Sequence, residues 1–457
     1  MSASSDRIAR DLPRYREELF DFLRIPSVSA RSEHDADTRR AARWLAERLE
    51  AAGLDAEVLD TPGHPVVLAE WRGAGEDAPT VLVYGHYDVQ PAEPLDEWTS
   101  PPFDPAVREG RIWARGSADD KGQLFMHVKA LEAALADGGV LPVNVVVLAE
   151  GEEEIGSPSL VPFVEEHADR LKADVVVISD SAMFEEGQPS LLFSLRGLAY
   201  LELRARAARS DLHSGAYGGA VPNPATALAR ILATFHDDDG RIAVPGFYDP
   251  VLEWDEATRE TIRRLPFDDA TFEKEVGVTA LAGEKGYSTL ERLWIRPTCE
   301  VNGLLSGYTG EGAKTVLPAR AMAKVSFRLV PDQRPAQVAR QVRDHVARVT
   351  PPGVEVEIVE LHGGLPWKAE VGGPLFDAAS VALEEAFGTK PLLTGEGGSI
   401  PIVVEFERIL DAPVLLVGFA SPGANMHAPD EWLSVGNFEK GIPALVRLYE
   451  EIGARLG

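Results

Sequence analysis

The sequence predicts an α/β fold in which a mixed, mostly parallel sheet lies between helices and is interrupted by an inserted α+β domain. Three observations carry that prediction. Apolar, β-branched runs at Thr80–Tyr84, Val143–Leu148, Val175–Ile178 and Val414–Val417 suit strands buried on both faces rather than half-exposed ones. Between these runs lie stretches of helical periodicity, and strands alternating with helices argue for helices on both faces of one sheet. After about Leu192 the texture changes, and Leu201, Leu203 and their neighbours alternate as in a sheet with one exposed face.

The elements follow in order. Ile8, Leu12, Leu19, Phe20 and Leu23 recur at helical spacing until Ile25-Pro26-Ser27 stops the helix. A second helix runs from about Thr38 to Ala52 and ends at Gly53, and short strands are expected near Ala56–Leu59 and Val66–Trp71. Helices are expected over Gly122–Ala136 and Ser157–His167, flanking the strand Val143–Leu148. Further on, Pro224–Phe235 reads as a helix capped by Asn223, with Pro224 at its first position. The stretch from Asp237 to Gly312, rich in Gly, Pro and charge, is left irregular. Val316–Leu329 and Val354–Val359 read as strands around a helix Pro335–Val349, and a helix near Asn437–Gly453 closes the chain. The expected division is 1–192 and 363–457 for the α/β domain and 193–362 for the insert.

Composition narrows the function classes. A chain of 457 residues is too long for one ordinary core. The net charge of −28, from 45 basic against 73 acidic side chains, argues against nucleic acid or anionic membranes as partners. No apolar run reaches the roughly 20 residues needed to cross a bilayer, and the first residues show no export signal. Cys299 is the only cysteine, so no intrachain disulfide and no thiolate cluster can form, and a cytoplasmic location is expected. Any metal site must be built from His, Asp and Glu.

Five such positions fall at the ends of predicted strands or in the loops after them, where open α/β sheets place ligands. They are His86 in Gly85-His86-Tyr87-Asp88-Val89, Asp119 in Gly116-Ser117-Ala118-Asp119-Asp120, the run Glu150-Gly151-Glu152-Glu153-Glu154, Asp180 after Val175–Ile178, and His427 in Asn425-Met426-His427. Singly, each has an ordinary reading: a loop histidine, a solvated acidic face, or in Asp119-Asp120 a helix N-cap. Their joint placement points instead to a metal centre. Carboxylates and imidazoles without thiolates suit zinc, manganese or cobalt. Asp88, two residues from His86, is placed to accept its free ring N–H and fix the tautomer.

Three of these segments, His86-Tyr87-Asp88-Val89-Gln90, Gly116-Ser117-Ala118-Asp119-Asp120-Lys121-Gly122 and Glu150-Gly151-Glu152-Glu153-Glu154-Ile155-Gly156-Ser157, resemble the metal signatures of the carnosinase-like dipeptidases. Their superfamily also holds aminoacylase, carboxypeptidase G and succinyl-diaminopimelate desuccinylase. The resemblance continues through Ser210–Gly215, Lys314–Pro318, Phe327–Pro331 and Gly397–Pro401. It implies two divalent metal ions per subunit, zinc first with manganese or cobalt as alternatives. Asp119 would bridge them, with His86 and Asp180 completing one site and Glu154 and His427 the other. Glu153 would be the general base for a water between the ions, with Glu152 as the competing assignment. A cis peptide between Asp119 and Asp120 is implied as well.

The insert would serve as a lid and dimerisation domain of a homodimer. His213 would reach the partner's active site and polarise the scissile carbonyl. Arg328 would grip the substrate's C-terminal carboxylate, aided by Thr315 and Ser399, with His362 a weaker binding candidate. The activity implied is hydrolysis of the amide bond in a dipeptide or very short peptide. An N-acyl amino acid hydrolase with the same metals is the alternative, and a non-catalytic metal-binding protein on this scaffold is a third reading.

Overall fold

The computed structural model describes residues 3–398 and 400–457. The chain divides into two compact units, one built from Met1–Phe193, Ala369–Thr394 and Ile402–Gly457, the other from Ser194–Lys368 and Gly395–Pro401.

In the first unit a 6-stranded sheet runs in the order Asp55–Leu59, Val66–Trp71, Asn144–Glu150, Thr80–His86, Val175–Ile178, Val414–Leu416. The pairings on the Asp55 side are antiparallel and the rest are parallel. Every residue of Asn144–Glu150, Thr80–His86 and Val175–Ile178 is buried, which explains the unbroken apolar runs. Parallel pairing also brings their C-terminal ends to one edge, with His86 directly opposite Glu150 and Tyr84 opposite Ile178. Two strands reach farther than their apolar runs suggest. Thr80–His86 and Asn144–Glu150 each end on a polar residue that the hydrophobic pattern does not include.

The helix Lys121–Leu135 is buried along nearly all its length and packs against Val435–Leu456 and Ala3–Leu23. Phe22 stacks on Trp44 with centroids 4.7 Å apart, and Trp44 meets Phe125 at 5.5 Å. Where the opening helix stops before Pro26, the buried Lys121 ammonium donates to the carbonyls of Phe22 (3.2 Å) and Ile25 (2.7 Å). It thereby adds a charged donor to two carbonyls at the helix end that also accept the N–H groups of Ile25 (3.2 Å) and Ser27 (2.9 Å). Among the described helices none is long and apolar enough to cross a membrane.

The second unit holds a 4-stranded antiparallel sheet in the order Thr298–Ser306, Arg320–Leu329, Gly197–Arg206, Glu355–Gly364. The helices Pro224–Ala233 and Pro335–Val349 cover one face, where Leu201, Leu203, Val325, Phe327, Leu228 and Val342 share a core. As expected, the Asn223 side chain caps its helix, accepting the Ala225 N–H at 2.9 Å.

Two expectations need correction here. The stretch left irregular contains the helices Glu256–Arg263, Asp269–Val276 and Thr289–Trp294 and the edge strand Thr298–Ser306. That strand is largely exposed and slips register between Val301 and Gly303, so it shows no apolar alternation. The single strand expected over Val316–Leu329 is in fact Val316–Leu317 and Arg320–Leu329, separated at Pro318, which has no N–H to give a ladder.

His127, buried in the first unit, lies 2.7 Å from both the Tyr449 hydroxyl and Ser179 Oγ, and burial pushes its pKa down to about 3. Below the ordinary histidine range the unfolded chain takes up a proton here that the folded chain refuses. This group therefore removes stability as pH falls, at about 1.4 kcal/mol per pH unit once the unfolded histidine is protonated. His127→Gln is expected to flatten the fall in unfolding free energy between about pH 6 and pH 4, measured by urea titration across that range. An unchanged slope would show that His127 is not held neutral.

Candidate metal centre

His86, the last residue of its strand, is 0 % exposed. Its Nδ1 faces Asp88, 3.1 Å from the carbonyl and 3.3 Å from a carboxylate oxygen. Nδ1–H donates there, which leaves the Nε2 lone pair turned to Asp119 Oδ1 at 3.0 Å and Asp180 Oδ2 at 3.9 Å. An imidazole lone pair opposed to carboxylates calls for a proton or a cation between them.

Asp119 is shared. Its Oδ2 lies 2.9 Å from His427 Nε2, and that same nitrogen is 3.2 Å from Glu154 Oε2. Two donor sets result, His86–Asp119–Asp180 and Asp119–Glu154–His427, and within each the donor atoms lie within 4.8 Å of one another. The peptide between Asp119 and Asp120 is cis.

The electrostatics are those of a site with too many carboxylates. Burial and then the neighbouring Asp119 push Asp180 up to about 7. Burial, followed by Asp180, Glu154 and Asp119, holds Glu153 well above the ordinary carboxylate range, with His86 acting against them. Burial would lower the His86 pKa, but Asp119, Asp88 and Asp180 outweigh it and raise it. Hydrogen bonds to Asp119 and Glu154 raise His427 to about 10. Oxygen and imidazole donors facing one another with excess negative charge fit hard or borderline divalent cations, which would offset that charge.

Polar contacts hold the loops that carry these groups. The buried Asp88 carboxylate accepts the Ser29 hydroxyl at 2.6 Å and the backbone N–H groups of Glu153 (3.3 Å) and Glu154 (3.1 Å). Gln90 donates its side-chain amide to Glu154 Oε2 at 2.8 Å and its backbone N–H to Oε1 at 3.1 Å. Glu152 is buried, with both oxygens engaged by the N–H groups of His64 (2.9 Å) and Ser159 (3.0 Å). Asp120 makes no capping bond to its helix and instead accepts the His86 N–H at 3.2 Å. Glu150 accepts from Tyr84 (2.6 Å) and Ser157 (2.8 Å). Sequence spacing marks Asp88, but nothing in it separates the enclosed Glu150 and Glu152 from a solvated acidic run.

The other candidates lie in the second unit. His213 is exposed, and its Nδ1 accepts the N–H groups of Gly215 (3.0 Å) and Ala216 (3.2 Å), so the proton of the neutral ring sits on Nε2. The strand Leu212–His213 pairs with Val316–Leu317, and the Ser214 N–H donates to the Thr315 carbonyl at 3.0 Å, which sets Thr315 beside His213. Arg328 and His362 share the sheet face opposite the helices. His362 lies in the row of Ser326 and Tyr200, edge-on to the Tyr200 ring at 5.0 Å, and Arg328 is one row along beside Leu198. Burial lowers the Arg328 pKa, and among the described residues no carboxylate lies within ion-pair distance of its guanidinium. Ser399 lies outside the described residues.

Comparison with known proteins gives concordant matches. Residues 82–451 match the sequence model of Peptidase family M20/M25/M40. The chain is 31% identical over 474 aligned residues to the Cys-Gly metallodipeptidase dug1 of Schizosaccharomyces pombe, covering 99% of each chain. It is also 31% identical to the Beta-Ala-His dipeptidase of Homo sapiens, covering 99% of this chain and 88% of that one. The solved structure of the M20 family metallo-carboxypeptidase Sso-CP2 from Sulfolobus solfataricus superimposes with a TM-score of 0.87 at 34% identity, covering 96% of this chain and 99% of the other.

The shared position of Asp119 sets an expectation for metal content. Asp119→Ala should lose both ions, whereas His86→Ala or His427→Ala should weaken chiefly one. Inductively coupled plasma analysis of the purified variants reads the difference, and full metal content in Asp119→Ala would remove Asp119 from the shared position.

Proposed function

The chain belongs to Peptidase family M20/M25/M40, and from that membership and its paired donor sets we propose that it is a two-metal dipeptidase hydrolysing the amide bond of dipeptides or very short peptides. The observation that carries the reading is the pair of donor sets meeting on Asp119, with the enclosed Glu153 carboxylate beside them. Two divalent cations held there would supply Lewis acidity, lowering the pKa of a water between them from 15.7 toward about 7. Zinc is the first choice for this donor set, with manganese or cobalt as alternatives.

Glu153 takes the role of general base. Of the consecutive glutamates, Glu152 has both oxygens engaged by backbone N–H groups and Glu154 belongs to a donor set, which leaves Glu153 free to act. It removes the proton from the attacking water and returns it to the leaving amine. Asp88 keeps the His86 ring oriented from behind. His213, with Nδ1 occupied by backbone N–H groups, presents Nε2–H as a donor to the scissile carbonyl oxygen as negative charge develops on it.

Substrate selection follows from what the dipeptides of the relatives share. Cys-Gly and β-Ala-His differ at both side chains but have in common one amide and a free C-terminal carboxylate. Arg328, half-buried and without a described carboxylate partner, suits a bidentate grip on that carboxylate, with Thr315, Ser399 and His362 as further contacts. The proposed assembly is a homodimer through the second unit, which acts as a lid, with His213 serving the partner's site. A single cysteine fits a cytoplasmic setting.

Dipeptides should be cleaved faster than acetyl or succinyl amino acids in a substrate panel, and the reverse order would favour the deacylase reading. Glu153→Ala is expected to retain both metals while kcat falls by roughly 10²–10⁴. Near-normal turnover in a metal-replete Glu153→Ala protein would refute the base assignment. Mixing inactive His213→Ala with inactive Glu153→Ala subunits should restore part of the activity, because one site of the mixed dimer carries neither fault. No recovery after verified subunit exchange would rule out action in trans.

A further inference from the structure

Glu431 follows Ala428-Pro429-Asp430, a stretch that reads as surface, yet it is 0 % exposed. Its carboxylate accepts the backbone N–H groups of Gly116 (2.9 Å), Ala118 (2.8 Å) and Asp119 (3.1 Å) and the Arg115 guanidinium (2.8 Å). Arg115, 1 % exposed, also donates to the carbonyls of Pro91 and Ala428, each at 3.3 Å. The Ala114 N–H in turn donates to the Glu431 carbonyl at 3.1 Å. One enclosed ion pair therefore joins the loop after the strand Thr80–His86, the loop that delivers Asp119, and the loop that carries His427.

Stability alone is a poor account of this pair. Desolvating two charges is costly, and well-packed apolar residues often serve as well or better in a core. What sets the pair apart is where its hydrogen bonds end: on the Asp119 amide itself and on the residue after His427. The Asp119 carboxylate lies between His86 Nε2 (3.0 Å) and His427 Nε2 (2.9 Å), so the placement of its backbone decides whether one carboxylate meets both histidines. Three N–H groups, those of Gly116, Ala118 and Asp119, held on one carboxylate fix that backbone. Charge-assisted hydrogen bonds of this kind are stronger than neutral ones.

We infer that the Arg115–Glu431 pair is a positioning device that assembles the Asp119 and His427 loops before any cation binds. Neither residue touches reacting atoms. The inference rests on Asp119 and His427 being metal donors, as proposed above.

The test uses the full-length protein stripped of metal. By hydrogen exchange, peptides covering 114–119 and 424–431 should be protected in the metal-free wild type and should exchange faster in Glu431→Gln. Cobalt(II) titration should then show a loss of affinity of about 10–100-fold in Glu431→Gln, with an altered visible absorption band. Glu291→Gln is the control for general loss of a buried ion pair. Glu291 is buried in the second unit, accepts the Ser288 N–H at 2.7 Å and pairs with Arg259 at 2.7 Å. This control should keep wild-type cobalt affinity and absorption.

Cobalt affinity and spectrum unchanged in Glu431→Gln, or fast exchange of 114–119 in the metal-free wild type, would overturn the inference. If Glu431→Gln does not fold, the wild-type exchange measurement decides by itself. Failure of wild-type protein to take up two cobalt ions would count against the metal reading instead, and is distinguished by the exchange result, which requires no metal.

Discussion

The feature on which the site depends is the mutual repulsion of carboxylates gathered around one imidazole-flanked aspartate. Asp119 faces His86 on one side and His427 on the other, and Asp180, Glu153 and Glu154 crowd the same space. In water such a cluster would disperse. Here the ends of parallel strands place His86 beside Glu150 and bring Asp180 just beyond Ile178, so the backbone opposes what the charges favour. The same repulsion gives the site its affinity for cations, because divalent ions replace it with attraction.

Around the donors, buried polar groups act on backbone more than on one another. Asp88 collects the N–H groups of Glu153 and Glu154, Glu152 those of His64 and Ser159, Asp120 that of His86, and Glu431 those of Gly116, Ala118 and Asp119. Asp119, Asp180 and Glu154 instead turn an oxygen toward the Nε2 atom of His86 or His427, Glu154 doing so while it also accepts two N–H groups from Gln90. That approach to Nε2, rather than the number of N–H groups accepted, separates the acids of the two candidate donor sets from those that only hold loops. Glu152 is set apart from Glu153 on physical grounds as well, because both of its oxygens are taken by backbone N–H groups.

Much of the α/β unit was legible in the sequence because its central strands are buried on both faces, and that condition writes itself as unbroken runs such as Val145-Val146-Val147-Leu148. The residues that gather around Asp119 were legible because each follows such a run or belongs to a recognisable segment. The edge strand Thr298–Ser306 was not, since an exposed strand interrupted at Gly303 needs no apolar alternation. Nor were Glu431 and Arg115. Their role comes from contacts across more than three hundred residues of chain, and locally each is an ordinary charged residue, Arg115 before a glycine and Glu431 between Asp430 and Trp432. Sequence periodicity reports which face of an element is buried, and it is silent on a loop residue buried by long-range folding.

The central claim, a pair of cations sharing Asp119, is tested most directly by anomalous diffraction from crystals of the protein grown with zinc or manganese. The account predicts two anomalous peaks about 3.5–4 Å apart, one beside His86 and Asp180, the other beside Glu154 and His427, with an Asp119 oxygen on each. A single peak, or two peaks of which one lies away from Asp119, would contradict it.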